Sequence, residues 1–180
     1  PYVNHFTGND LIVSHIERHW CPTVTSGQIL GDGLSYRFPD DTRPSLLTIT
    51  AEDEYRTEET LPRFAIAELG KTFRIGTVFG DAKDRNTLPG IEQAQEADVL
   101  LLSVRRRNLP KEQLDRIRSH IAAGKGLVAI RTSSHAFHQR DKGAPEGLEE
   151  WRDFDASVLG GNYTNHYGKD LPTFARIAPE

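Results

Sequence analysis

Gly126-Leu-Val-Ala-Ile-Arg-Thr-Ser-Ser-His-Ala-Phe-His138 changes character halfway along. Residues 127–130 are apolar without alternation, the pattern of a strand buried on both faces in the middle of a parallel sheet. Arg131, Thr132, Ser133, Ser134 and His135 follow at once, so a cation, three hydroxyls and an imidazole meet at the strand's carboxyl end. In open α/β sheets that edge is where ligands bind.

The segments before this stretch repeat its organisation. Residues 45–50 read as a first strand, β-branched and apolar, and end in Ala51-Glu-Asp-Glu-Tyr-Arg-Thr57, dense in carboxylates. Thr57 is placed to cap a helix whose apolar face is Leu61, Phe64, Ala65, Ile66 and Leu69, closed by Gly70. Residues 73–79 form a second strand, 80–89 a polar loop and 91–97 a short helix. Residues 98–103 form a third strand, followed at the same edge by Arg105, Arg106 and Arg107. Pro110 suits the first turn of a helix running to Gly124. Strands alternating with helices predict an α/β fold on a parallel sheet, with right-handed crossovers and the 45–50 strand interior. After His138 a helix is expected near 146–159, carrying Trp151, Phe154 and Val158, and a further strand over 174–178.

Residues 1–44 differ from the rest, being rich in turn formers, and read as an N-terminal arm or connector; residues 45–180 form the α/β domain. A short helix is expected from Asn9-Asp10 to His19. His15 and His19 share a face at zinc-ligand spacing, but His-Ile-Glu-Arg-His is not the H-E-x-x-H order, and a solvated helix face is the expectation. The whole chain has 180 residues, 37% hydrophobic and 27% charged, which is globular rather than disordered composition. A net charge of −4 argues against a nucleic-acid partner, and no apolar run approaches a membrane span. The chain opens on Pro1 with no visible signal, so a cytoplasmic protein and an exported one already processed both fit. A single cysteine, Cys21, rules out an internal disulfide.

Five motifs occur together in order: Glu52-Asp-Glu-Tyr-Arg56; Arg105-x-Arg107-x-Leu-Pro110; Arg131-Thr-x-Ser-His-Ala-Phe137; Trp151-x-x-Phe154 with Val158-Leu-Gly160; and Asn165-His166-x-Gly168. With them, residues 45–178 resemble the trehalose-utilisation (ThuA-like) proteins. The resemblance implies the class I glutamine-amidotransferase-like fold, a three-layer flavodoxin-like α/β sandwich. It also implies that a C-terminal part beyond residue 180 would close the sheet. True amidotransferases carry a nucleophilic Cys at the turn after the strand matching 127–130. Here that turn reads Arg-Thr-Ser-Ser-His, which argues against a Cys-dependent glutaminase.

The resemblance implies a small-molecule carbohydrate ligand, a sugar or oxidised sugar derivative, handled by a hydrolytic or lyase step. The alternative is a non-catalytic sugar-binding or assembly domain, and a homo-oligomer is compatible with either. His135 and His166 with Asp53 or Glu54 are the expected acid and base, because an imidazole exchanges protons near neutrality. The same residues leave a divalent metal open without favouring one, and no other cofactor is indicated. Tyr55, Arg105, Arg107, Arg131, Ser134 and Asn165 are the expected substrate contacts, guanidiniums suiting carboxylate, phosphate or vicinal hydroxyls. Arg131, directly after a buried strand, is expected to pair with Asp53 or Glu54. Ser134 reads as a hydroxyl capping a turn rather than a nucleophile, since neighbours in sequence seldom align Oγ with imidazole and no G-x-S-x-G elbow is present. Arg106 and His138 are expected at the surface. If the arm is an appendage, deleting residues 1–20 leaves the domain folded by circular dichroism; stoichiometric zinc lost on His19→Ala would contradict this.

Overall fold

The computed structural model describes residues 42–140, 142–165, 168, 172, 174 and 176. Residues 1–41 of the arm, with His15, His19 and Cys21, lie outside the described residues, as do His166 and most of the expected 174–178 strand.

The elements are β1 (Ser45–Ala51), α1 (Thr57–Ala67), β2 (Arg74–Phe79), β3 (Val99–Val104), β4 (Leu109–Pro110), α2 (Lys111–Ala122), β5 (Gly126–Ala129) and β6 (Leu148–Glu149), with 3₁₀ turns at Leu69–Lys71, Ile91–Gln95 and Arg131–His135. Four strands form one parallel sheet in the order β2-β1-β3-β5, with β1 interior as expected. The short β4 and β6 pair antiparallel beside it.

Strand alternation assigns the two faces. On one, Leu46, Ile75 and Leu101 pack with Leu61 and Ala65 of α1. On the other, Leu47, Ile49, Val78, Leu100, Leu102 and Val104 pack with Leu114 and Ile117 of α2. Ile49, Leu100 and Leu102 are fully buried, worth about 1.5–3 kcal/mol each relative to exposure. Polar side chains tie the strands at their starts. Ser45 donates its N–H and hydroxyl to Asp98 Oδ2 at 2.7 and 2.8 Å, joining β1 to the entry of β3. Gly126 opens β5 close against β3, where a Cβ would meet Val99 Cγ2 at 3.0 Å.

Four expectations are corrected. Strand β5 is not buried on both faces: it lies at the sheet's edge among the described residues, and Val128 is 49% exposed. Phe64 is not part of the buried face of α1, being 51% exposed, whereas Pro62 is buried. The short helix expected over 91–97 forms as a 3₁₀ turn that stops two residues early, at Ile91–Gln95.

The fourth is the helix expected over 146–159. Leu148–Glu149 instead pairs with β4, Arg118 binds Glu149 at 2.6 Å, and only a π-helical turn forms at Asp155–Leu159. The aromatic spacing there serves a cluster instead: Phe154 meets Phe137 edge-on at 5.0 Å and Trp151 at 5.2 Å. It is fastened to the segment that follows β5, since Trp151 N donates to the Phe137 carbonyl at 2.7 Å.

Leu102→Ala in the central sheet should cost about 2–5 kcal/mol, whereas Val128→Thr at the edge should stay within about 0.5 kcal/mol. Denaturant unfolding measures both, and equal losses would contradict the edge placement of β5.

Candidate functional site at the carboxyl edge of the sheet

The loop after β1 is organised by Glu52. Its buried carboxylate accepts the N–H groups of Glu54 (2.6 Å), Tyr55 (2.9 Å) and Thr57 (3.0 Å), together with the Thr57 hydroxyl (2.9 Å). Because the Thr57 hydroxyl donates to Glu52, Ser103 Oγ, 2.8 Å away, donates to Thr57 and fastens the loop to β3. Thr57 is therefore not the cap it was expected to be. Arg56 holds the N-cap position with no side-chain bond, and Glu52 takes the first N–H of α1. Burial alone would raise the Glu52 carboxyl, but these donors outweigh it and hold it below the usual carboxylate range.

The second wall comes from β3 and the turn after β5. Ser133 Oγ donates to the Leu102 carbonyl at 2.9 Å and accepts Val104 N at 3.0 Å, replacing strand backbone with a side chain. Arg106 N and Arg107 N donate to the carbonyls of His135 and Ala136 at 3.1 and 2.7 Å. The 3₁₀ turn Arg131–His135 is thus stitched to the arginine run. Asp155 supplies the roof: its Oδ2 accepts Tyr163 N at 2.8 Å, and the Tyr163 ring lies 4.7 Å from His135.

Between these walls is a cavity of about 650 Å³ bordered by Glu54, Tyr55, Arg105, Arg106, Arg131, Thr132, Ser134, His135, Arg140 and Tyr163. Of the expected site residues it gathers Glu54, Tyr55, Arg105, Arg131, Ser134 and His135 from three loops. Arg56, Arg106 and Arg131 all have φ near +50°, each shortly after the carboxyl end of β1, β3 or β5. A left-handed conformation costs a residue with a Cβ about 1–3 kcal/mol and clusters at functional sites.

Other expectations resolve differently. Asp53 does not border the cavity but binds Arg107 at 2.7 Å and Arg85 at 2.8 Å. Arg107 is 4% exposed and gives Nε to the Ala51 carbonyl at 2.9 Å, so it braces the exits of β1 and β3 rather than offering a free fork. Glu54 pairs with Arg105 at 2.6 Å. Arg131 has neither expected carboxylate partner: it is exposed, and its guanidinium stacks on Tyr55 at 3.7 Å. Asn165 is exposed and does not border the cavity.

Sequence reading missed Arg106, Arg140 and Tyr163, which do. Nothing in a three-arginine run marks the middle one as inward; its left-handed backbone turns it. Ser134 and His135 also depart from expectation, since Ser134 Oγ lies 3.1 Å from His135 Nδ1.

His135 is 6% exposed, and burial, reinforced by Arg106, Arg105, His138 and Arg140, lowers its pKa to about 4. The ring is neutral at pH 7, with one nitrogen a donor and the other an acceptor. No carboxylate of the described residues is among the causes of that shift, contrary to the histidine–carboxylate pair expected. Among the described residues no three His, Cys, Asp or Glu side chains gather as metal ligands, and no helix is long and apolar enough to cross a membrane. Comparisons of the chain with protein-family models, curated proteins and solved structures found no match.

Glu52→Gln should lower stability by about 1–3 kcal/mol at neutral pH, because an amide puts N–H groups where donors already converge. The wild-type carboxylate contributes above its unfolded pKa near 4.5 and loses that contribution as pH falls through its lower folded value. The difference between the two proteins should therefore shrink with acidification, read by denaturant unfolding across pH. A gap constant down to strong acid would contradict the network.

Proposed function

We propose that this chain is a ThuA-like protein with a flavodoxin-like, class I glutamine-amidotransferase-like domain, acting on a sugar or oxidised sugar derivative at the carboxyl edge of its sheet. The observation that carries the reading is the neutral His135 beside Ser134, on the wall of a cavity with many hydrogen-bonding groups where parallel strands end. Hydroxyls of a sugar need donors and acceptors in number, and Glu54, Ser134, His135, Tyr163 and the arginines provide both.

The chemistry assigned to the site is proton transfer by His135. In the tautomer protonated on Nδ1, that N–H is donated to Ser134 Oγ and Nε2 carries the free lone pair of a general base. Ser134 then orients the imidazole and is not itself the nucleophile. Glu54, held by Arg105 across the cavity, is the available carboxylate, while Asp53, committed to Arg107 and Arg85, has a positioning role. The turn after β5 has hydroxyls and an imidazole where a glutaminase needs its thiol, so hydrolysis or elimination on a sugar derivative is favoured over amide transfer.

Turnover assays over neutral sugars, ketosugars and sugar acids test the reading. His135→Asn should cut kcat about 10²–10⁴-fold with little change in ligand affinity, and Ser134→Ala less. Specific sugar binding without turnover would instead leave a binding module on the same fold, and turnover untouched by His135→Asn would remove the proposed base.

A further inference from the structure

The cavity is strongly positive in a protein that is acidic as a whole. Among the described residues four guanidiniums, Arg105, Arg106, Arg131 and Arg140, border it with one carboxylate, Glu54, while the chain's net charge is −4. Arg131 and Arg140 are exposed, but solvation does not fully account for Arg105 and Arg106. Of the buried side-chain atoms that lack a hydrogen-bond partner among the described residues, Arg105 Nε, Arg106 Nη1 and Thr132 Oγ1 belong to side chains that border this cavity, while Arg107 Nη1, the Asn108 amide and Glu150 Oε2 belong to residues that do not. Buried donors in folded proteins are nearly always satisfied, and a group of orphans at one cavity marks where an acceptor belongs.

The neighbouring charges are spoken for in an informative way. Glu54 engages Arg105 through Nη2 and leaves Nε uncovered. Arg107 is neutralised by Asp53 outside the cavity. Arg131 lies on the Tyr55 ring. Arg106 makes no ion pair among the described residues and sits close enough to Arg105 and Arg140 for their charges to disfavour its own, over and above its burial. Holding two like charges beside a half-buried guanidinium with a left-handed backbone is unfavourable in the empty protein. An anion would offset the repulsion between these cations.

We infer that the cavity takes a ligand bearing an oxyanion, a carboxylate or a phosphate, seated on Arg106 with Arg105, Arg140 and the Thr132 hydroxyl. The inference deepens the proposed sugar site and, as to the rest of the ligand, depends on it. A guanidinium presents paired donors matched to the oxygens of either group, while Thr132 adds a neutral donor. His135, next along the same wall, then faces the part of the ligand beside the anion. An oxyanion on Arg105 and Arg106 also offsets two of the cations that hold His135 near 4, so ligand binding raises its pKa toward the ordinary value and makes it a stronger base when the substrate is present.

The test compares gluconate, glucose 6-phosphate, glucose and inorganic phosphate as ligands by calorimetry. The expected result is that gluconate or glucose 6-phosphate binds at least about tenfold more tightly than glucose, the lesser value of a charge-assisted bond. Arg106→Gln should remove most of that advantage and Arg140→Gln part of it. Arg140 is exposed, so its variant reports on the seat even where Arg106→Gln perturbs folding. The His135 imidazole pKa, followed by NMR, should rise on adding the tighter anion. Inorganic phosphate binding as tightly as glucose 6-phosphate would support the oxyanion seat and remove the sugar reading. Glucose binding as tightly as both anionic sugars, or an advantage that survives both variants, would overturn the inference and leave the sugar reading standing. Failure of every anionic probe to bind overturns it as well.

Discussion

The site depends first on one buried carboxylate. Glu52 directly follows β1 and collects the N–H groups of the loop, while Thr57 and Ser103 link it to β3. A carboxylate saturated by backbone donors fixes the chain more tightly than a turn of ordinary loop would. Because that loop is fixed, Glu54 and Tyr55 have defined positions on the cavity wall, and Asp53 is directed to Arg107. The salt bridge of Arg107 with Asp53 and its bond to the Ala51 carbonyl then brace the exit of β1 against that of β3. The rest of the wall is built by comparable substitutions of side chain for backbone, Ser133 on β3 and Asp155 under Tyr163.

This construction explains how an acidic protein keeps a cationic pocket. The carboxylates nearest the strand ends are used for structure, Glu52 on N–H groups and Asp53 on the outer arginines, so they are withheld from the cavity. Glu54 is the one carboxylate among the described residues that borders it. The arginines of the inner rim thus meet few opposing charges, and burial together with those cations keeps His135 neutral. The same electrostatics join the two functional ideas: a neutral imidazole suited to accepting a proton, and a surplus of donors suited to an anion.

The sheet was readable in the sequence because its signals are local. Apolar runs at 45–50, 73–79 and 98–103 became three of the parallel strands with β1 inside, and the polar clusters that follow β1, β3 and β5 fell on one edge. Position within the sheet was not local information. The run at 127–130 looks doubly buried, yet which strand stands at the edge depends on pairing partners, and Val128 is exposed. Trp151, Phe154 and Val158 mimic helical spacing because an aromatic cluster can be filled from an irregular segment too. Arg106 and Arg131 exchanged their expected surroundings for a reason that no composition reveals. Both sit in left-handed backbone, which sends one guanidinium to the cavity's buried rim and lays the other across Tyr55. Asp53 and Glu54 are neighbours of like chemistry, and only the path of the Glu52-bound loop separates a brace from a wall residue.

The protonation state of His135 joins the geometry to the chemistry, and it is directly measurable. Following the ring nitrogens by ¹⁵N NMR across pH in the ligand-free protein, the account predicts a neutral imidazole at pH 6 and a midpoint near 4. The midpoint should move upward in Arg106→Gln, which removes one of the repelling charges. A midpoint at the ordinary value near 6.5, unmoved by that substitution, would contradict both the burial and the cationic surroundings on which the account rests.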